Sequence, residues 1–370
     1  MVEYRKIPTP PDALKFHPEK INGNFFGKDI ISMEQFDSSS LKMIFDVTKS
    51  MSQIAKNSQA SSILDGNLVT LLFYEPSSRT MNSFDAAIKQ LKGNTLIEKD
   101  PKHFSSVAKG ETFEDTIRTF EAYCDAIVIR HPEKGSAAKA ATAADTIPVI
   151  NAGDGNGEHP TQALLDLYTI YEKYGKLSGL KILFAGDIKN GRTVHSLLKA
   201  LSLFPDNQIY LLSPNQLKLD RASLEDLRSK GLKINEISDS KDIPRDSDVW
   251  YWTRVQKERF KIVNGLSKTA DKIFGKMLHG NLNDKLLTGG EYEKLRKSFI
   301  VDPQFLEQYG NDDMILMHPL PRVGEITKEV DKDPRAVYLK NQVRNGMYVR
   351  MALLALILGK VNPNVVDYHV

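Results

Sequence analysis

The chain has one cysteine among 370 residues, Cys124, which excludes an intrachain disulfide framework and a cysteine-rich metal site. It also lacks any apolar run long enough to span a bilayer, and Met1-Val2-Glu3-Tyr4-Arg5-Lys6 lacks the apolar stretch of a secretory signal. Glu3, Asp12 and Glu19 argue against a transit peptide, because such leaders are poor in acids. A reducing cytoplasm is the expected compartment, with no membrane association. A large excess of one charge is lacking as well. The 50 basic residues are interleaved with 47 acidic ones, so no basic stripe offers itself to nucleic acid. Metal-ligand spacing, a G-x-S-x-G elbow and a Walker lysine are all missing, and no metal or cofactor is expected.

What is present is an ordinary globular composition, in a chain long enough for two domains with separate cores. Residues 1–27 carry Pro8, Pro10, Pro11 and Pro18 among scattered charges and read as an irregular N-terminal arm. Thereafter β-like runs at 68–73, 126–129, 148–151, 181–185, 208–212, 249–251 and 314–317 alternate with helical patterns. The alternation predicts an α/β fold of two domains, each a mainly parallel sheet flanked by helices. The amphipathic segment 160–174 lies midway as a connector, and the boundary is drawn beside it. A further helix is expected at 347–358, with Met347, Met351, Leu354 and Leu358 as its apolar stripe.

In parallel sheets of this kind ligands bind beyond the carboxyl ends of the strands. After the first run comes Tyr74-Glu75-Pro76-Ser77-Ser78-Arg79-Thr80, which opens a helix with three hydroxyls and a guanidinium around its unsatisfied N–H groups. That suits a phosphate, although a plain Ser/Thr cap is the simpler alternative. Arg130 ends the next run, as a second phosphate ligand or a surface ion pair. His159 and Gln162 flank a helix-initial Pro160, where an imidazole can donate to a developing oxyanion or merely be a buried structural group.

Gly153-Asp154-Gly155-Asn156-Gly157 does not have the dinucleotide spacing, and neither does 185–192, so nicotinamide chemistry is disfavoured. Lys109 lies in a polar loop. Arg254 and Arg259 bracket Gln256, which suits a carboxylate or a charged helix face. In His318-Pro319-Leu320-Pro321-Arg322 two prolines remove donors and leave carbonyls able to accept from an N–H₂ group, unless the segment is simply a rigid turn. Such loops position two anionic substrates, with catalysis by orientation and oxyanion stabilisation.

Taken in order, F-Y-E-P-S-S-R-T, S-S-V-A-K-G-E, R-H-P, H-P-T-Q-A-L, G-R-T-V-H-S, T-R-V-Q-K-E-R and H-P-L-P-R resemble the transcarbamoylase family over 27–359, and within it the aspartate-using catalytic chains. The resemblance implies a carbamoyl-phosphate-binding domain at 28–160, an aspartate-binding domain at 161–344, and a C-terminal helix at 345–370 packing back on the first domain. It implies that Ser77, Ser78, Arg79, Thr80 and Arg130 hold the phosphate, and that Thr80, Arg130 and His159 polarise the carbonyl. Gln162 and the carbonyls of Leu320 and Pro321 would take the carbamoyl N–H₂. Arg192, Arg254 and Gln256 would bind L-aspartate, with Lys109 and Leu320. Ser105 and Lys109 would come from a neighbouring chain of a homotrimer, and Glu75 would bridge to Arg192 and Arg259 on domain closure. The implied activity is carbamoyl transfer to aspartate, an early step of de novo pyrimidine biosynthesis. A regulatory chain or nucleotide effector is left open.

Three departures from the family pattern stand out. Ser78 and Met81 occupy positions where the phosphate motif usually has Thr and Arg, 260–313 is long enough to contain an insertion, and the N-terminal arm is extended. An ornithine-using relative is the nearest rival, but it would have H-C-L-P where Pro319 stands here, and two arginines would repel an ammonium. A catalytically silent regulatory paralogue would need a broken site, and the main polar residues are in place.

Overall fold

The computed structural model describes residues 18–57, 61–101, 106–155, 157–255, 261–263, 286–288 and 299–362, which fall into two compact units. The first runs to Leu177 and also takes in His195–Phe204 and the chain from Asn341; the second comprises Ser178–Val194 and Pro205–Lys340.

The first unit is built on a four-stranded parallel sheet of β1 (Leu68–Phe73), β2 (Asn94–Lys99), β3 (Ala126–His131) and β4 (Val149–Asp154), in the order β2-β1-β3-β4. β1 and β3 are apolar because helices cover both faces of a central parallel strand. β2 is an edge strand, and its Asn94, Ile97 and Lys99 are exposed. The Asn341–Ile357 helix packs against the helices Ser38–Lys56, Ser78–Gln90 and Pro160–Tyr174. It starts at Asn341, before the apolar stripe expected from 347. Its first turns are polar but paired: Gln342 Nε2 donates to Asp166 Oδ1 (2.7 Å) and Asn345 Nδ2 to Glu172 Oε2 (2.8 Å). The same bonds explain why Pro160–Tyr174 lies inside the first unit and the division falls after Leu177.

The second unit contains β5 (Lys181–Ala185), β6 (Gln208–Leu212), β7 (Lys233–Ile237) and β8 (Val249–Trp252), a separate parallel pair β9 (Lys261–Val263) and β10 (Leu286–Thr288), and β11 (Ile315–Met317). The main sheet is parallel, in the order β11-β8-β5-β6-β7. Trp250 and Trp252 are fully buried and meet Phe305 edge-on, and Trp252 Nε1 donates to Phe299 O at 3.0 Å. Helix Pro303–Tyr309, which brings Phe305, is capped by Asp302 with Pro303 at its first position. Of the segment 260–313, residues 260, 264–285 and 289–298 lie outside the described residues, as does 1–17 of the N-terminal arm.

Candidate functional site

In the first unit the polar loops follow three adjacent strands. Tyr74 N–H donates to Arg130 O at 2.8 Å, carrying the β1–β3 ladder one step past the Phe73 and Arg130 pairing. Loop 74–77 therefore leaves the sheet beside Arg130. Helix Ser78–Gln90 begins there with Ser77 as its N-cap residue, but the Ser77 side chain makes no capping bond. The simple cap alternative thus fails for Ser77. Thr80 is buried, Ser77 half-buried, and Ser78 and Arg79 exposed. Met81, where the family motif has Arg, faces the core.

Arg130 is held on two sides. Its Nη1 donates to Ala152 O at 3.1 Å, and its Nε lies 3.4 Å from Glu75 Oε2. Glu75, the residue the resemblance links to Arg192 and Arg259, faces Arg130 here, and Arg259 lies outside the described residues.

The glycine-rich run after β4 is a structural turn. Gly155 has φ +53°, and a Cβ there would come within 2.4 Å of Pro132 O. Asp154 accepts from Gly135 N at 2.8 Å and Glu158 N at 2.7 Å, and burial pushes its pKa up. The turn delivers His159, buried, with its N–H on Ser196 Oγ at 3.2 Å and its Nδ1 3.4 Å from Thr161 Oγ1.

One turn into the same helix, Gln162 Nε2 donates to Asp166 Oδ1 at 3.0 Å, an oxygen that also takes Gln342 Nε2. A carboxylate accepts and does not donate, so the Gln162 N–H₂ end is committed to Asp166 and its carbonyl oxygen is turned away. Lys109 ends the short turn Ser106–Lys109 and is exposed; Ser105 lies outside the described residues.

In the second unit β5, β8 and β11 are likewise neighbours, and the loops after β5 and β8 meet. Gly186 has φ +106°, and a Cβ there would lie 2.1 Å from Thr253 O, so only glycine permits this approach. Asp187 N–H donates to Thr253 Oγ1 (3.1 Å), which itself donates to Ala185 O (2.9 Å). The loop leading to Arg192 is thereby stitched to the one carrying Arg254, and both arginines are half-buried. Gln256 lies outside the described residues.

After β11, Leu320 adopts φ +55° and is followed by a cis bond to Pro321. Leu320 N–H donates to His318 Nδ1 at 2.8 Å, and His318 Nε2 lies 2.7 Å from Glu325 Oε1. Arg322 is structural: it grips both carboxylate oxygens of Asp331 and donates to Tyr338 Oη at 3.0 Å.

Asp166 and Glu325 are the polar partners that sequence reading missed. Asp166 had a signal in its spacing of four from Gln162. Glu325 had none, because its partner lies across a turn. Among the described residues no cluster of three His, Cys, Asp or Glu side chains suits a metal, and no helix is long and apolar enough to cross a membrane.

Comparison with known proteins agrees in both units. The model of the "aspartate/ornithine carbamoyltransferase, carbamoyl-P binding domain" matches residues 28–172, and that of the "Asp/Orn binding domain" matches 178–357. Aspartate carbamoyltransferase 1, chloroplastic, of Pisum sativum is 47% identical over 330 residues, covering 89% of this chain and 78% of the pea protein. The solved catalytic subunit of M. jannaschii aspartate transcarbamoylase superposes with TM-score 0.77 at 41% identity, covering 90% of this chain and 98% of the other. The Trypanosoma cruzi aspartate transcarbamoylase in complex with N-(phosphonacetyl)-L-aspartic acid gives 0.77 at 36% identity, covering 90% and 97%.

Proposed function

This chain belongs to the aspartate/ornithine carbamoyltransferase family, and we propose that it transfers the carbamoyl group of carbamoyl phosphate to L-aspartate, giving N-carbamoyl-L-aspartate and phosphate. Ser77, Ser78, Arg79 and Thr80 bind the phosphate at the start of helix Ser78–Gln90, where the first-turn N–H groups point outward and the helix dipole favours an anion. Thr80, Arg130 and His159 donate to the carbonyl oxygen. Gln162, through the carbonyl end that Asp166 turns outward, accepts from the carbamoyl N–H₂ with the Leu320 and Pro321 carbonyls.

The neutral amine of aspartate attacks the carbamoyl carbon, the three donors stabilise the tetrahedral oxyanion, and the C–O bond to phosphate breaks. Phosphate leaves as the group basic enough to take the amine proton. No covalent enzyme intermediate and no cofactor is needed.

The observation that supports the aspartate reading is the Gly186–Thr253 contact, which stitches the loop leading to Arg192 to the one carrying Arg254, an arrangement that suits a dicarboxylate. Those two charges disfavour ornithine, as does Pro319. Retention of the polar set argues against a silent paralogue. The assembly is a homotrimer in which a neighbour's Ser105 and Lys109 complete each site, with Lys109 also reaching the aspartate. Glu75 bridges to Arg192 and Arg259 on closure. We place the reaction early in pyrimidine synthesis, in the cytoplasm; the pea relative is named as chloroplastic.

Calorimetric titration with N-(phosphonacetyl)-L-aspartic acid, which joins a phosphonate to aspartate, tests the reading. One molecule should bind per chain, and Arg79→Ala and Arg254→Ala should each weaken binding by about 10-fold or more. Absence of binding, or binding indifferent to both changes, contradicts it.

A further inference from the structure

The turn after β11 is fixed by two buried side chains to which the chemistry above gives no part. His318 and Glu325 are only 2% and 4% exposed. Because His318 Nδ1 accepts from Leu320 N–H, that nitrogen carries no proton, and Nε2 is the one that donates to the Glu325 carboxylate. The other Glu325 oxygen accepts Val323 N–H at 2.9 Å. One carboxylate therefore holds both ends of 318–323, at Val323 N–H and at the His318 imidazole, which in turn holds Leu320 N–H. Between these anchors Leu320 is kept in the left-handed region that a side chain disfavours. Among the described residues, neither the Leu320 nor the Pro321 carbonyl accepts a hydrogen bond. Arg322 is anchored separately, on Asp331 and Tyr338.

We propose that His318 and Glu325 are positioning residues that aim the Leu320 and Pro321 carbonyls at the carbamoyl N–H₂, and so make the site select a carbamoyl over an acyl phosphate. This rests on the reading above that those carbonyls meet the N–H₂. Acetyl phosphate has nearly the same shape, with a methyl in place of the amide nitrogen. A methyl cannot donate, and it would leave two aimed carbonyls unpaired. A site built to take N–H donors rejects such an analogue far more strongly than shape alone allows.

The test compares KM for carbamoyl phosphate with the inhibition constant of acetyl phosphate in His318→Gln, His318→Asn and Glu325→Gln. Gln at 318 reaches toward Glu325 but leaves Leu320 N–H without its acceptor, whereas the Asn carbonyl oxygen takes the place of Nδ1. Gln at 325 must turn its N–H₂ toward either Val323 N–H or the imidazole N–H, so one anchor is lost at unchanged volume. His318→Gln and Glu325→Gln should raise KM for carbamoyl phosphate about 10-fold while acetyl phosphate moves less than about 2-fold, and His318→Asn, which restores the Leu320 acceptor but not the bond to Glu325, should recover only part of the loss. Equal weakening of both ligands, or wild-type selectivity in all three variants, overturns the proposal. Should His318→Gln not fold, the isosteric Glu325→Gln decides alone. Wild-type protein that transfers nothing to aspartate would instead defeat the carbamoyl-transfer reading itself.

Discussion

Arg130 Nε stands 3.4 Å from Glu75 Oε2, so the guanidinium assigned to the substrate carbonyl faces a carboxylate within its own unit. The two side chains are 12% and 30% exposed, which puts the pair near the upper end of what surface ion pairs contribute, about 1 kcal/mol. A dianion arriving at the helix start competes with Glu75 for Arg130. Glu75→Gln should tighten inorganic phosphate about 3-fold by calorimetry. Weaker phosphate binding would show that Glu75 helps to build the site.

Asp166→Asn removes the charge that commits the Gln162 amide. The new side chain both donates and accepts, so Gln162 is free to turn its N–H₂ outward against the substrate N–H₂. KM for carbamoyl phosphate should rise about 10-fold. Arg350, whose pKa burial lowers to about 10 and the Asp166 charge supports, should lose stabilisation, seen as a lower Tm. Unchanged KM would detach Gln162 from the carbamoyl group.

His159→Ala should lower kcat by about 10²-fold with little change in KM, because an oxyanion donor acts in the transition state. A change confined to KM would make His159 a ground-state binder.

Sharing of sites between chains predicts complementation. Lys109→Ala and Arg79→Ala proteins, each inactive, should regain activity when dissociated and reassembled together, since some hybrid sites carry neither lesion. Analytical ultracentrifugation should give the mass of three chains. Mixtures as inactive as their parents would refute shared sites.

The His318–Glu325 couple gives a signed pH dependence. Burial holds the His318 pKa below its ordinary 6.5, against the raising effect of Glu325, while the charges of Arg322 and Arg254 add to the lowering. Burial is the largest single effect and opposes the Glu325 charge, but the neighbouring His318 and the hydrogen bonds from it and from the backbone together outweigh burial, and the pKa is lowered from 4.5. Both folded pKa values lie below the unfolded ones, so in acid the unfolded chain binds more protons. The His318 part of the stability is complete above about pH 6.5 and is lost as pH falls below it; the Glu325 part is lost from about pH 4.5 downward. Urea midpoints should fall between pH 7 and 5 more steeply in wild type than in His318→Asn. Parallel curves would count against a neutral buried imidazole.

Much of this was readable from residues because strand-end loops concentrate polarity where an apolar core strand stops. The runs 68–73, 181–185 and 208–212 coincide with strands, and 160–174 with a helix, since each is long and apolar enough to have no competing reading. β2 and β7 were missed. Asn94-Thr95-Leu96-Ile97-Glu98-Lys99 and Lys233-Ile234-Asn235-Glu236-Ile237 are edge strands that need little apolar surface, so hydropathy does not reveal them. The phosphate loop and the paired arginines were visible as clustered donors. Asp166 left only its spacing of four from Gln162 as a signal, and Glu325 left none, because its partner lies across a turn.

The most direct measurement is carbon-13 NMR of purified protein given ¹³C-carbamoyl phosphate with equal aspartate and ornithine. The account predicts conversion of the label to N-carbamoyl-L-aspartate, one phosphate released per product, and no carbamoyl-ornithine above the uncatalysed background. Carbamoyl-ornithine as the main product, or no transfer to either amine, would contradict it.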